Sequence, residues 1–122
     1  MPTCKSTREG LLGQRTSSGY LIDTKVPFVA LPSFAALHKF VRVTNPANGR
    51  SCLAIVLDVG PFNIHDDLYV FGNARPQAES GISVSGKGTN GAGIDLGEYV
   101  WKALGMLDNT NVEWAFIGEL YT

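Results

Sequence analysis

The spacing of apolar and polar positions changes several times along this chain, and each change marks an element. In residues 38–44 (HKFVRVT), Val41 and Val43 alternate with Phe40, Arg42 and Thr44, the two-residue period of a strand with one face on a core. Residues 45–49 (NPANG) supply turn chemistry and residues 51–57 resume an apolar run, so the two segments predict a hairpin. The second strand is apolar from Cys52 through Leu57, which predicts cover on both faces, as in a small closed barrel. Residues 19–23 and 26–31 read as short strands with Pro27 and Pro32 at the ends of the second, and 112–120 as a closing strand. Only 95–104 (DLGEYVWKAL) carries helical signals: Asp95 can cap it, Glu98 stands three residues on as in a capping box, and Gly105 can end it. Residues 1–15 are expected as an extension ahead of the barrel. Residues 63–93, rich in Gly, Ser, Asn and Asp, are expected as a long loop insertion, and loops of that length usually bind something.

A length of 122 residues allows one domain, and 44% hydrophobic with 17% charged residues is enough apolar matter for a core. Ten Lys+Arg against eleven Asp+Glu give a net charge of −1, which leaves no basic field for nucleic acid or an anionic membrane. The longest apolar run, 53–57, is too short to span a bilayer. Lys5, Arg8 and Glu9 precede any apolar stretch, so either the protein does not use the secretory route or its signal lies outside this sequence. Cys4 and Cys52 are compatible with one disulfide or with two separate thiols.

Candidate chemistry concentrates in two places. Asp58 follows the apolar strand within VLDVGPF (56–62), where Gly60 and Pro61 turn the chain. A carboxyl there is either a strand-ending turn residue or a rim acid whose burial raises its pKa, as a proton donor to a glycosidic oxygen requires. Asp95 and Glu98 form the second cluster. Capping explains them, and a place in one cleft with Asp58 is compatible with capping. The run GISVSGK (81–87) has Gly88 where a phosphate loop needs Ser or Thr, and lacks the flanking strand and helix, so nucleotide binding is excluded. His65, Asp66 and Asp67 lack a further ligand at metal spacing, and no cofactor is assigned. Tyr20, Tyr69, Trp101 and Trp114 can stack on sugar rings or fill the core, with Tyr69 the better platform because it lies in a loop.

The motifs VRVTN (41–45), NGRS (48–51), DVGPF (58–62) and IDL (94–96), the last followed by a helix ending ALG (103–105), stand in a familiar order. In order and spacing they resemble the double-psi β-barrel group of rare lipoprotein A, expansins, barwin-like proteins and family 45 endoglucanases, over about 16–118 apart from the 63–93 insertion. The resemblance implies a mainly β fold, a six-stranded double-psi β-barrel with one short surface helix. It also implies action on a polysaccharide: lytic transglycosylation of peptidoglycan, glycan hydrolysis, or loosening without cleavage. By position Asp58 matches the catalytic or essential Asp of the transglycosylase and expansin branches, and Asp95 the second expansin Asp. The stretch TSSG (16–19) resembles a Thr-Ala-Ser-Gly segment lining the same groove, which puts Thr16 and Ser17, with Tyr20 beside them, among the substrate-binding candidates. Pro32 stands where transglycosylase members carry a histidine. VALP (29–32), Asp58 and Gly97-Glu98 also resemble a chitosanase branch whose catalytic pair is an Asp and a Glu, which would make Glu98 the partner.

The expectation is a monomeric enzyme that cleaves a β-1,4-linked amino-sugar polymer of cell walls, peptidoglycan first and a chitosan-like glycan second, with Asp58 as general acid. The location expected is secreted, periplasmic or cell-wall-associated, or the protein is phage-encoded. The 63–93 loop would edge the groove, offering Tyr69 for stacking and Arg75 or Lys87 for polar contacts. The alternative is an expansin-like or phage-structural module that grips glycan without cutting it.

Overall fold

The computed structural model describes residues 3–118. Six strands close into one barrel: β1 (Thr3–Arg8), β2 (Phe28–Leu31), β3 (Phe40–Asn45), β4 (Arg50–Val59), β5 (Ile94–Leu96) and β6 (Asn111–Phe116). Their order is β1-β5-β2-β4-β3-β6, with β1/β5 and β2/β4 parallel and the other neighbours antiparallel. This is a mixed, mainly β barrel of the double-psi type. Two short helices, α1 (Asp67–Val70) and α2 (Glu98–Ala103), accompany it.

The expected hairpin is β3/β4, with Val41 opposite Ala54 and Val43 opposite Cys52. Val29, Leu31, Val41, Val43, Val56, Ile94, Leu96 and Val112 are all fully buried in one cluster, the barrel interior. Each such aliphatic side chain contributes about 1.5–3 kcal/mol on burial, and closure leaves no long strand edge unpaired. The 45–49 turn also serves the helix. Asn45 and Asn48 each donate from Nδ2 to the Leu104 carbonyl at 3.0 and 2.9 Å, satisfying an oxygen that the end of α2 leaves open. Gly105, at φ 63°, lets Met106 N–H reach the Trp101 carbonyl and close the helix.

Several expectations are corrected. The stretch treated as an extension contains β1, a barrel strand pairing with β5 and β6. Its buried side chains include Cys4 and Ser6, and Ser6 donates to the Thr110 carbonyl at 2.7 Å, so the strand carries no apolar run to reveal it. Residues 19–23 form no strand; only an isolated bridge joins Arg15 and Leu21. The outer face of β4 is covered at Leu57 but open at Leu53, which is 52% exposed. Asp95 does not cap the helix. It lies within β5, held extended between Thr7 of β1 and Ala30 of β2, and α2 begins only after Gly97. The closing strand ends at Phe116, and the last residues assigned to it from the sequence lie outside those described. Residues 63–93 are folded onto the barrel: Asp66 N–H donates to the Pro32 carbonyl at 2.8 Å, and Asn63 Oδ1 accepts from Val84 N–H at 3.0 Å. Cys4 and Cys52 are free thiols.

Gly97 lies where helix start and sheet meet most tightly. A Cβ there would stand 2.5 Å from a ring carbon of Phe28, which is fully buried. Gly97→Ala is expected to cost about 1–3 kcal/mol through overpacking, read as a lower urea midpoint at unchanged m-value.

Candidate functional site

The site follows from strand register. Ala30 on β2 lies opposite Asp58 on β4 and opposite Asp95 on β5, and Asp95 lies opposite Thr7 on β1. Directly opposed residues share a face of the sheet. Ile94 and Leu96 occupy the core, so Asp95, Thr7, Ala30 and Asp58 form a row on the outer face. A register shift between Val29 and Ala30 brings Asp58, rather than Leu57, opposite Ala30, the re-aiming of a side chain that a β-bulge produces. Adjacent strands are about 4.8 Å apart, so the two aspartate backbones stand about 9.6 Å apart across a residue that carries only a methyl group. The turn after Asp58 closes on the same place. Gly60 has φ 146°, open to glycine, and a Cβ on it would stand 3.6 Å from Asp95 Oδ2.

Each carboxyl has its own surroundings. Asp58 is half-buried, and its Oδ1 accepts N–H bonds from Ser17 and Val59, both at 2.9 Å. Ser17 is delivered by the 16–19 turn, in which Gly19 N–H bonds the Thr16 carbonyl, Tyr20 N–H bonds Thr16 Oγ1, and Ser18 N–H bonds the Leu57 carbonyl of β4. Asp95 accepts from the Thr7 hydroxyl. Burial first, and then the negative charge of Asp58, push its carboxyl up to about 6 against the lowering effect of Thr7.

A third carboxyl joins them, unassigned by the sequence reading. Glu9 directly follows β1, and its N–H donates to the Leu96 carbonyl at 2.8 Å. Its side chain is only 7% exposed, and Oε2 has no hydrogen-bond partner. Burial, followed by the charges of Asp58 and Asp95, pushes it up to about 8. The signal available was the alternation of Lys5, Thr7 and Glu9 against Cys4 and Ser6, which puts Glu9 on the face of Thr7 if the segment is a strand. Three carboxyls thus meet at one place, and near neutral pH Glu9 keeps a proton while Asp95 can ionise, so one group can donate a proton and another accept it.

The other candidates are placed as follows. Thr16 and Ser17 stand beside Asp58. Tyr20 donates its hydroxyl to Asp23 Oδ1 at 2.5 Å and packs edge-on against Phe28. Glu98, buried at the start of α2, is held by Arg8 Nε at 2.5 Å and Nη2 at 2.7 Å, which lowers its pKa, and the Arg8 guanidinium lies over Trp101. Among the described residues, neither Tyr69 nor Arg75 hydrogen-bonds Asp58 or Asp95. The Tyr69 hydroxyl donates to the Gly93 carbonyl at 3.0 Å and accepts from Trp114 Nε1 at 2.8 Å, while Arg75 binds Glu79 and the Thr3 carbonyl. With Cys4 they line a cavity of about 340 Å³ beside the start of β1. Gly93, which holds the Tyr69 hydroxyl, precedes Asp95 by two residues. Asp66 accepts Gln77 N–H and Asp67 accepts the Ser33 hydroxyl, so both serve the local fold. Among the described residues no group of three or more His, Cys, Asp or Glu is arranged to hold a metal ion, and no helix is long and apolar enough to cross a membrane.

A family model described as Domain of unknown function (DUF8814) matches residues 3–115. No curated protein matches. Among solved structures, the GH45 endoglucanase EG27II, crystallised at pH 8.0 in complex with cellobiose, is similar at 18% sequence identity and a TM-score of 0.47, covering 98% of this chain and 83% of that one.

The carboxyl cluster sets the pH dependence of stability. Glu9 and Asp95 bind protons more tightly folded than unfolded, so their contribution is complete below the unfolded values near 4 and is lost as pH rises through about 6 for Asp95 and about 8 for Glu9. The melting temperature is expected to fall between pH 5 and pH 8.5. Glu9→Gln, neutral throughout, should remove the part of the decline above pH 6, as thermal melts across that range would measure.

Proposed function

We propose that this chain, which belongs to the family described as Domain of unknown function (DUF8814), cleaves a β-1,4-linked amino-sugar polysaccharide of cell walls by acid–base catalysis at Asp58 and Asp95. One observation carries the reading: two aspartates on separate strands lie opposite the same residue, Ala30, and differ in their surroundings, Asp95 being buried with its carboxyl pushed up to about 6 and Asp58 being bonded by two backbone N–H groups. Cleaving a glycosidic bond needs that division, one carboxyl to protonate the leaving oxygen and one carboxylate to act on the incoming hydroxyl or on the anomeric carbon. Asp95 is the acid. Asp58, held by two backbone N–H groups, is the carboxylate, the reverse of the roles that the sequence suggests. The backbone spacing of about 9.6 Å is compatible with the carboxyl separations of ~5–9.5 Å that retaining and inverting enzymes use.

The substrate class is supported by the sequence resemblance around Asp58 and Asp95, with peptidoglycan first and a chitosan-like glycan second. Such an enzyme works at the cell wall, whether secreted, periplasmic or phage-encoded. Phe62, 44% exposed at the end of the DVGPF turn, favours a second reading, a module that grips glycan without cutting it.

Incubation with purified peptidoglycan and with chitosan, followed by mass analysis of the soluble products, tests both. Anhydro-sugar ends mean transglycosylation, reducing ends mean hydrolysis, and binding without products means the gripping module. Asp58→Asn and Asp95→Asn are each expected to lower turnover ~10²-fold or more. Glu98→Gln is expected to stay within about tenfold of wild type, because Glu98 serves Arg8, and comparable loss in all three variants would return Glu98 to the catalytic pair.

A further inference from the structure

The same end of the barrel holds a group to which the reading above gives no task. Glu9 continues the face of β1 that carries Thr7, whose hydroxyl binds Asp95, and its own N–H is tied to Leu96, the next residue after Asp95. It is buried, and Oε2 has no partner. An ionised carboxylate there would be an unpaired buried charge beside two aspartates, whereas a neutral carboxyl can donate to either of them.

We propose that Glu9 is the proton store of the site, keeping a carboxylic proton at neutral pH and passing it to Asp95. The proposal rests on the assignment of Asp58 and Asp95 as the acid–base pair. The charges acting on Glu9 are Asp58 on β4 and Asp95 on β5. Arg8, the adjoining cation on β1, is bound at two nitrogens to Glu98 of α2, and the 16–19 turn packed over β4 carries only Thr16, Ser17, Ser18 and Gly19. With no cation assigned to it, Glu9 is pushed up to about 8, while Asp95 beside it, at about 6, would be largely ionised at pH 7. Protons in such a cluster belong to the group as a whole, so the acid form of Asp95 persists as far as Glu9 can refill it.

The proton balance closes. Glu9 passes its proton to the Asp95 carboxylate, and Asp95 gives that proton to the glycosidic oxygen as the bond from that oxygen to the anomeric carbon breaks, the bonding electron pair staying on the oxygen. Water in hydrolysis, or a hydroxyl of the substrate itself in transglycosylation, bonds to the anomeric carbon and yields its proton to Asp58. Solvent takes that proton from Asp58 and restores one to Glu9.

The test combines pH–rate profiles on the cleaved glycan with ¹³C NMR titration of the side-chain carboxyls. In the wild type the alkaline limb of kcat is expected near pH 8. Glu9→Gln should move it down by about two units, toward the Asp95 value, at unchanged KM, and Glu9→Asp, which keeps a carboxyl, should restore part of the limb. A purely structural role would lower the melting temperature and leave the limb in place, and a folded Glu9→Gln with an unmoved limb overturns the proposal. By NMR, Glu9 should titrate near 8 in the wild type and lower in Asp95→Asn. Titration in the ordinary glutamate range overturns the proposal whatever the activity. If the wild type cleaves no glycan, the functional reading falls, and the NMR titration alone decides whether Glu9 holds the shared proton.

Discussion

Three carboxyl groups enclosed at one place on a barrel resist being ionised together, because each charge is removed from part of its water and repelled by its neighbours. That constraint governs the chemistry of this protein. Glu9, buried beside two aspartates and without a partner for Oε2, keeps its proton longest. Asp95 is intermediate, enclosed but bonded by the Thr7 hydroxyl. Asp58 is bonded by two backbone N–H donors. Glu9 and Asp95 therefore release their protons at different pH, about 8 and about 6, because they differ in burial and hydrogen bonding.

The fold exists to hold those positions. β5 is three residues long, yet it pairs with β1 on one side and β2 on the other, which keeps Asp95 extended and facing out while Ile94 and Leu96 anchor it in the core. The shift of register at Ala30 turns Asp58 to the same face, and Ala30 itself puts only a methyl group between the two aspartates. The 16–19 turn supplies the N–H of Ser17, and Gly60 lets the chain leave β4 close to Asp95. None of these devices lies in the 63–93 insertion, whose Tyr69 and Arg75 are tied to the start of β1.

What could be read from the sequence divides along physical lines. The β3/β4 hairpin was legible because Val41 and Val43 alternate with polar neighbours and NPANG is strong turn chemistry. Asp58 and Asp95 were legible as candidates because one follows an apolar strand at a Gly-Pro turn and because DVGPF and IDL resemble the motifs of the double-psi group in order and spacing. β1 was not, because its buried positions are filled by Cys4 and Ser6 rather than by large aliphatics, and the role of Glu9 was hidden with it. The placement of Asp95 at a helix cap failed for a related reason: local capping signals at 95–98 are outweighed by two sheet partners distant in the chain. Tyr69 looked like an exposed platform because it sits in a polar stretch, but a hydroxyl that can bond both Trp114 and Gly93 folds inward.

The central claim is that the carboxyl cluster carries one retained proton, located on Glu9. Neutron diffraction from crystals grown near pD 7 locates it directly. A deuterium is expected on a Glu9 carboxyl oxygen, directed toward Asp58 or Asp95, and a bare Glu9 would contradict it.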